Sequence, residues 1–89
     1  MKAIITVVGS DKVGIIAKVS VFLAERNINI EDISQTILSG NFVMMMMADL
    51  TSSTEDLENI KRELNEMGNS MNVSISLMHE KVFSAMHRI

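Results

Sequence analysis

The stretch from Ala3 to Ile30 constrains the fold most. It joins an apolar, β-branched run (Ala3-Ile4-Ile5-Thr6-Val7-Val8) to Gly9-Ser10-Asp11-Lys12-Val13-Gly14, an apolar helical pattern, and Asn27-Ile28-Asn29-Ile30 opening a second extended run. The first run lacks polar alternation, as expected of a central strand covered on both faces. Ile15, Ile16, Val19, Phe22 and Leu23 recur at helical spacing over residues 13–26, and Ser10 or Asp11 is placed to cap that helix. The unit is expected to gather a glycine, a carboxylate and an amide at the mouth of one strand–helix–strand turn. A glycine in the first turn costs roughly 0.5–1 kcal/mol relative to alanine, which marks Gly14 as a point where something approaches the backbone closely.

The second half repeats the plan. Residues 28–38 and 42–50 read as two strands joined across Ser39-Gly40-Asn41, a turn of hairpin length. Ser52, Ser53 and Thr54 ahead of Glu55 and Asp56 form a capping signature for a second helix, whose buried stripe is Leu57, Ile60, Leu64 and Met67. Gly68 is expected to end this helix in a left-handed conformation. Val73, Ile75 and Leu77 then alternate with Asn72, Ser74 and Ser76 in a last strand with one solvated side, an edge.

The order βαββαβ predicts an α+β, ferredoxin-like domain over residues 1–78, with two helices on one face of a four-stranded antiparallel sheet. The other face is left bare. The third strand carries Phe42, Met44, Met46 and Ala48 on one side and Val43, Met45 and Met47 on the other, so both sides call for cover. Residues 79–89 place Val82, Phe83, Met86 and Ile89 on one side of a short helical tail that folds over the sheet or onto a partner chain.

An 89-residue chain is one domain with a thin core, and the absence of cysteine removes disulfides as a remedy. Oligomerisation, most simply a homodimer, is the common alternative. At 47% hydrophobic and 21% charged residues the composition excludes disorder, and no apolar stretch is long enough for a bilayer. The chain is read as soluble and cytoplasmic, without a membrane role. A net charge of −3, with acids concentrated between Glu55 and Glu66, leaves no basic face for nucleic acid.

Several motif resemblances fail on chemistry. Gly9 and Gly14 have P-loop spacing, but Ile15-Ile16 stand where lysine and a hydroxyl are required. An RNA-recognition sheet needs stacking aromatics on its third strand, and only Phe42 is present there. His79-Glu80 begins a zinc-protease motif that Phe83 breaks, and alternation prevents Met44 to Met47 from converging on a metal. No histidine is paired with a nucleophile, so no catalytic residue, metal or cofactor is assigned.

The mouth remains. The amides of Gly14 and Ile15, at the positive end of a helix dipole, suit a carboxylate; Asp11 suits an ammonium, and Asn29 either group. Such a set fits a zwitterionic α-amino acid. Equally, Asp11 caps the helix, Gly14 packs tightly against a strand and Asn29 satisfies a turn.

Asp11-x-x-Gly14, the helix and Asn27-Ile28-Asn29-Ile30 resemble the signature of the ACT domain, the small-molecule-sensing module of amino-acid metabolism, over residues 1–78. The tail from Phe83 to Ile89 resembles the ending of short stand-alone ACT proteins, an uncharacterised family. The ACT modules of the glycine cleavage system transcriptional repressor are similar. The resemblance implies a non-catalytic regulatory protein binding an amino acid or related metabolite between subunits at Asp11, Gly14, Ile15, Asn29 and Ile30. It also implies sheets joined edge to edge and an output passed to a separate protein partner. Val13 stands where the family usually has proline, and Gly9 where serine-sensing members carry histidine, so serine specificity is not implied. On this reading Gly14→Val abolishes ligand binding with little loss of folding. The alternative is a ligand-free subunit whose edge strands and tail dock onto another protein.

Overall fold

The computed structural model describes residues 1–10 and 13–86. Strand β1 (Lys2–Gly9) leads to helix α1 (Ile15–Glu25), strands β2 (Asn29–Leu38) and β3 (Asn41–Asp49), helix α2 (Leu57–Met71), strand β4 (Ser74–His79) and helix α3 (Glu80–Met86). The sheet order is β2-β3-β1-β4, antiparallel at every pairing, so the most apolar strands are central and β2 and β4 are edges. This is the ferredoxin-like βαββαβ fold with a C-terminal helix.

Alternation along the strands builds the core. Ala3, Ile5 and Val7 of β1, Phe42, Met44, Met46 and Ala48 of β3, and Ile75 and Leu77 of β4 are buried on the face that takes the helices. Ile15, Val19, Phe22 and Leu23 of α1 and Ile60 and Leu64 of α2 close over them. Fully burying one such side chain contributes about 1.5–3 kcal/mol. The opposite face runs from cover to exposure along β1. Ile4 is 7% exposed, Thr6 is half-buried and Val8 is exposed. α3 lies against β1 and β4. Its Phe83 is half-buried, whereas Val82 and Met86 are exposed, so the tail does not bury its apolar residues as a single stripe. Ile89 lies outside the described residues.

Between β2 and β3, Ser39 (φ 52°) and Gly40 (φ 80°) make a two-residue turn with both φ values positive, the geometry that matches strand twist. A bulge at Glu31 breaks the β2 alternation. Ile30 pairs with Ala48 and Ile33 with Met46, so two isoleucines three apart face the same side.

Both helix starts and one helix end differ from the sequence-based expectation. α2 is capped by Asp56, whose carboxylate accepts from the Asn59 amide at 2.9 Å, and not by Ser52, Ser53 or Thr54. Ser53 is occupied elsewhere: its hydroxyl accepts from the Glu55 amide and donates to the Glu55 carbonyl. α2 also runs past Gly68 to Met71, and the left-handed cap is Asn72 (φ 61°). Gly68 serves packing instead, since a Cβ there would lie 2.8 Å from the Val73 carbonyl oxygen.

Candidate functional site

At the end of β1 the chain turns into α1 through Gly14, which occupies the N-cap with φ 79° and ψ −8°. That left-handed conformation is open to glycine and strained for most other residues. A Cβ at Gly14 would meet nothing within 4 Å. The expected close packing of Gly14 against a strand is therefore not what the glycine serves; it serves the dihedral. Ser10 is not the N-cap residue, because Gly14 holds that position, and Asp11 lies outside the described residues. No acidic side chain stands in the first turn of α1. The Ile15 side chain is buried in the core, so only its backbone faces the mouth. A positive φ also changes the meaning of Gly14→Val. A β-branched residue is strained there, so that variant loses stability as well as altering the mouth.

Asn29 lies at the other end of the molecule. It pairs with Asp49, which pairs in turn with Lys2 at the start of β1, whereas the mouth follows Gly9 at the end of β1, level with Phe42. Lys2 to Gly9 spans about 23 Å of strand, and α1 spans about 16 Å. The structure thus brings Gly14 and Ile15 together and separates both from Asn29 and Ile30. The expected single mouth holding glycine and amide does not form within one chain, because α1 returns the chain along the full length of β1 before β2 begins.

The Asn29 end is firmly built. Asn27 (φ 60°) turns the chain, and its Nδ2 donates to the Ser52 carbonyl at 3.2 Å. The Thr54 amide donates to the Arg26 carbonyl at 3.0 Å. A hollow of about 360 Å3 is lined by Ala24, Asn27, Ile28, Asn29 and Ser52. Ile30 packs on the core cluster. Sequence reasoning took Asn27 only as part of the signature and Ser52 only as part of a helix cap, and assigned neither to the site. The signal for Asn27 was its place just after an apolar helix, where a residue tolerant of positive φ is wanted; for Ser52 there was none.

Arg26 holds this end to α2. Its Nε donates to Glu63 Oε1 at 3.1 Å and lies 3.2 Å from Glu55 Oε2, its Nη1 donates to the Phe22 carbonyl, and its guanidinium sits 3.6 Å above the Phe22 ring. Hydrogen bonding to Arg26, then to Glu55, lowers the Glu63 pKa, while the hydrogen bond to Glu63 raises that of Glu55. Asp49 is lowered by the hydroxyl and amide of Thr51, and Lys2 is raised by its 3.0 Å pairing with Glu31.

Between the two ends runs the β2 edge, almost wholly exposed. On its helix-facing side, Ile33 and Ile37 are 39% and 61% exposed, whereas Ile30 at the start of the strand packs on the core. Among the described residues no group of His, Cys, Asp or Glu side chains is arranged to hold a metal ion, and no helix is long and apolar enough to cross a membrane. A larger hollow, about 450 Å3, lies between α2 and β4, and neither Gly14 nor Asn29 lines it.

Known proteins share this architecture. A UPF0237 protein of Listeria innocua is 48% identical over 89 residues, and one of Clostridium acetobutylicum is 53% identical over 89 residues, each comparison covering 100% of both chains. The solved structure of an ACT domain protein from Streptococcus pneumoniae superposes with a TM-score of 0.83 at 43% identity, covering 93% of each chain. The structure of a putative glycine cleavage system transcriptional repressor shares the fold, with a TM-score of 0.75 at 23% identity over 85% of this chain and 44% of that one. The family model described as ACT domain matches residues 2–78, and on that match together with full-length relatives near 50% identity, the chain belongs to the ACT domain family.

Proposed function

We propose that this chain is a non-catalytic sensor that binds an amino acid or similar small metabolite between two copies of itself and signals through a separate protein. The observation carrying this reading is the separation of the two half-sites along one exposed edge. Two copies joined antiparallel through their β2 edges place the Gly14–Ile15 mouth of one beside the Asn29–Ile30 end of the other. The pairing satisfies the free β2 backbone groups and covers Ile33 and Ile37, both liabilities on a long bare edge. In the pair, the first-turn amides of α1 donate to a carboxylate, as the positive end of a helix favours. The Asn29 amide from the partner supplies a second polar contact, and Asp11 pairs with an ammonium group.

The test exploits that division. A thermal-shift screen against the proteinogenic amino acids identifies the ligand, since about 100 times its dissociation constant adds roughly 2.7 kcal/mol of stability. Gly14→Asn, which tolerates positive φ while adding a side chain at the mouth, and Asn29→Ala are each expected to abolish the shift. Mixing the two variants restores one of the two composite sites in each mixed pair, about a quarter of all sites when equal amounts pair at random. Failure of the mixture to recover any binding would show that both residues act within one chain, or not on ligand at all.

A further inference from the structure

The sheet face opposite α1 and α2 is unusual for a surface. Register places Lys2, Ile4, Thr6 and Val8 of β1 on it, with cross-strand partners from β3 and β4, and among the described strand residues charge is confined to the end near Lys2, Glu31, Asp32 and Asp49. From the level of Thr6 to the β2–β3 turn it carries apolar and hydroxyl side chains, among them Thr6, Val8, Thr36, Val43, Met45 and Ser76. A solvated sheet face ordinarily carries charged residues, and their depletion marks the core of an interface.

From this we infer that the open face is a second self-association surface, on which two copies pack sheet to sheet. This goes beyond the β2-edge pairing of the sensor reading and does not depend on it.

Relief selects a second copy as the occupant. α3 stands as a ridge over β1 and β4 with Val82 50% and Met86 64% exposed, while beside it a hollow of about 200 Å3 is lined by Ile4, Asp32, Ser34 and the methionines of β3. A two-fold axis between two such faces seats each ridge in the other's hollow, where flexible methionines fill irregular gaps. Of the ridge's two charges Lys81 is exposed and Glu80 half-buried, so the more exposed one is opposite in sign to Asp32 of the hollow. Four strands about 4.8 Å apart and roughly 23 Å long give about 900 Å2 for the pair, the size of a weak, reversible interface.

Sedimentation equilibrium of the full chain reads the result. Together with edge pairing, face pairing gives a tetramer of the 9.9 kDa chain. Ser76→Arg, at an exposed position, is expected to halve the particle mass while leaving the circular dichroism spectrum unchanged, and Val82→Asp to do the same from the ridge. Ile37→Lys, on the other side of β2, reports separately on the edge. A wild-type dimer that Ser76→Arg converts to monomer supports face pairing and defeats edge pairing. Wild-type mass unaffected by both Ser76→Arg and Val82→Asp overturns face pairing, whatever Ile37→Lys does, as does saturation of this face by a different protein.

Discussion

Strand β3 carries its methionines to two different worlds. Met44 and Met46 are sealed under the helices, whereas Met45 and Met47, one residue away on the same strand, are half-buried on the open face. Composition and β propensity are the same for both pairs, so the difference lies in what the rest of the chain lays over each face. The sealed side makes the folded chain stable. The open side is left half-covered, and the β2 edge is exposed along almost its whole length.

The largest expected effect contrasts the two sides directly. Met46→Ala should cost about 2–5 kcal/mol, because α1 and α2 cannot collapse fully into the vacated volume, while Met45→Ala costs well under half of that in a dilute, dissociated sample. Urea denaturation of both variants decides it, and equal losses would erase the distinction between the faces. Next comes Gly68→Ala on the sealed side. Its new Cβ meets the Val73 carbonyl oxygen at 2.8 Å, a backbone atom that cannot step aside cheaply. A loss of about 1–3 kcal/mol is expected, in spite of alanine's better helix propensity. A stabilised variant would mean that β4 is free to shift away from α2.

The smallest effect is in acid titration. Asp49, on the open side, is held below the ordinary carboxylate value, so its contribution is complete above about pH 4 and lost as pH falls through its lower folded value. On the helix side Glu63 has the same sign, but Glu55 has the opposite one, since its raised value makes its contribution fall as pH rises. Thr51→Val should therefore flatten the fall of Tm between roughly pH 5 and pH 3 more than Glu63→Gln does, because the second substitution removes two opposing contributions together. A larger flattening by Glu63→Gln would show that the two carboxyls do not offset each other.

Much of this architecture was legible from spacing. Alternation along Phe42 to Ala48 and the helical stripe of Ile15, Val19, Phe22 and Leu23 identify the elements, because burial on one face imposes a period that any solvated chain must honour. Element boundaries were less legible. Gly68 resembled a terminator, but its small size serves a backbone contact from Val73, beyond the end of the helix and invisible to local pattern. Asp56, and none of the three hydroxyl residues ahead of it, is the cap because the helix begins at Leu57, while Ser53 engages Glu55 in the turn before it.

The sequence by itself determined the order of elements and the identity of most core residues, since each follows from period and polarity; it singled out Gly14, but the left-handed φ there came with the structure. Only the tertiary structure decided that Gly14 and Asn29 stand at opposite ends of the sheet and that β2 is a long exposed edge, whereas the bare sheet face already followed from the βαββαβ order. These depend on the direction in which α1 returns the chain and on where α1, α2 and α3 come to rest. Such placements are set by packing between residues far apart in sequence, about which local spacing carries no information.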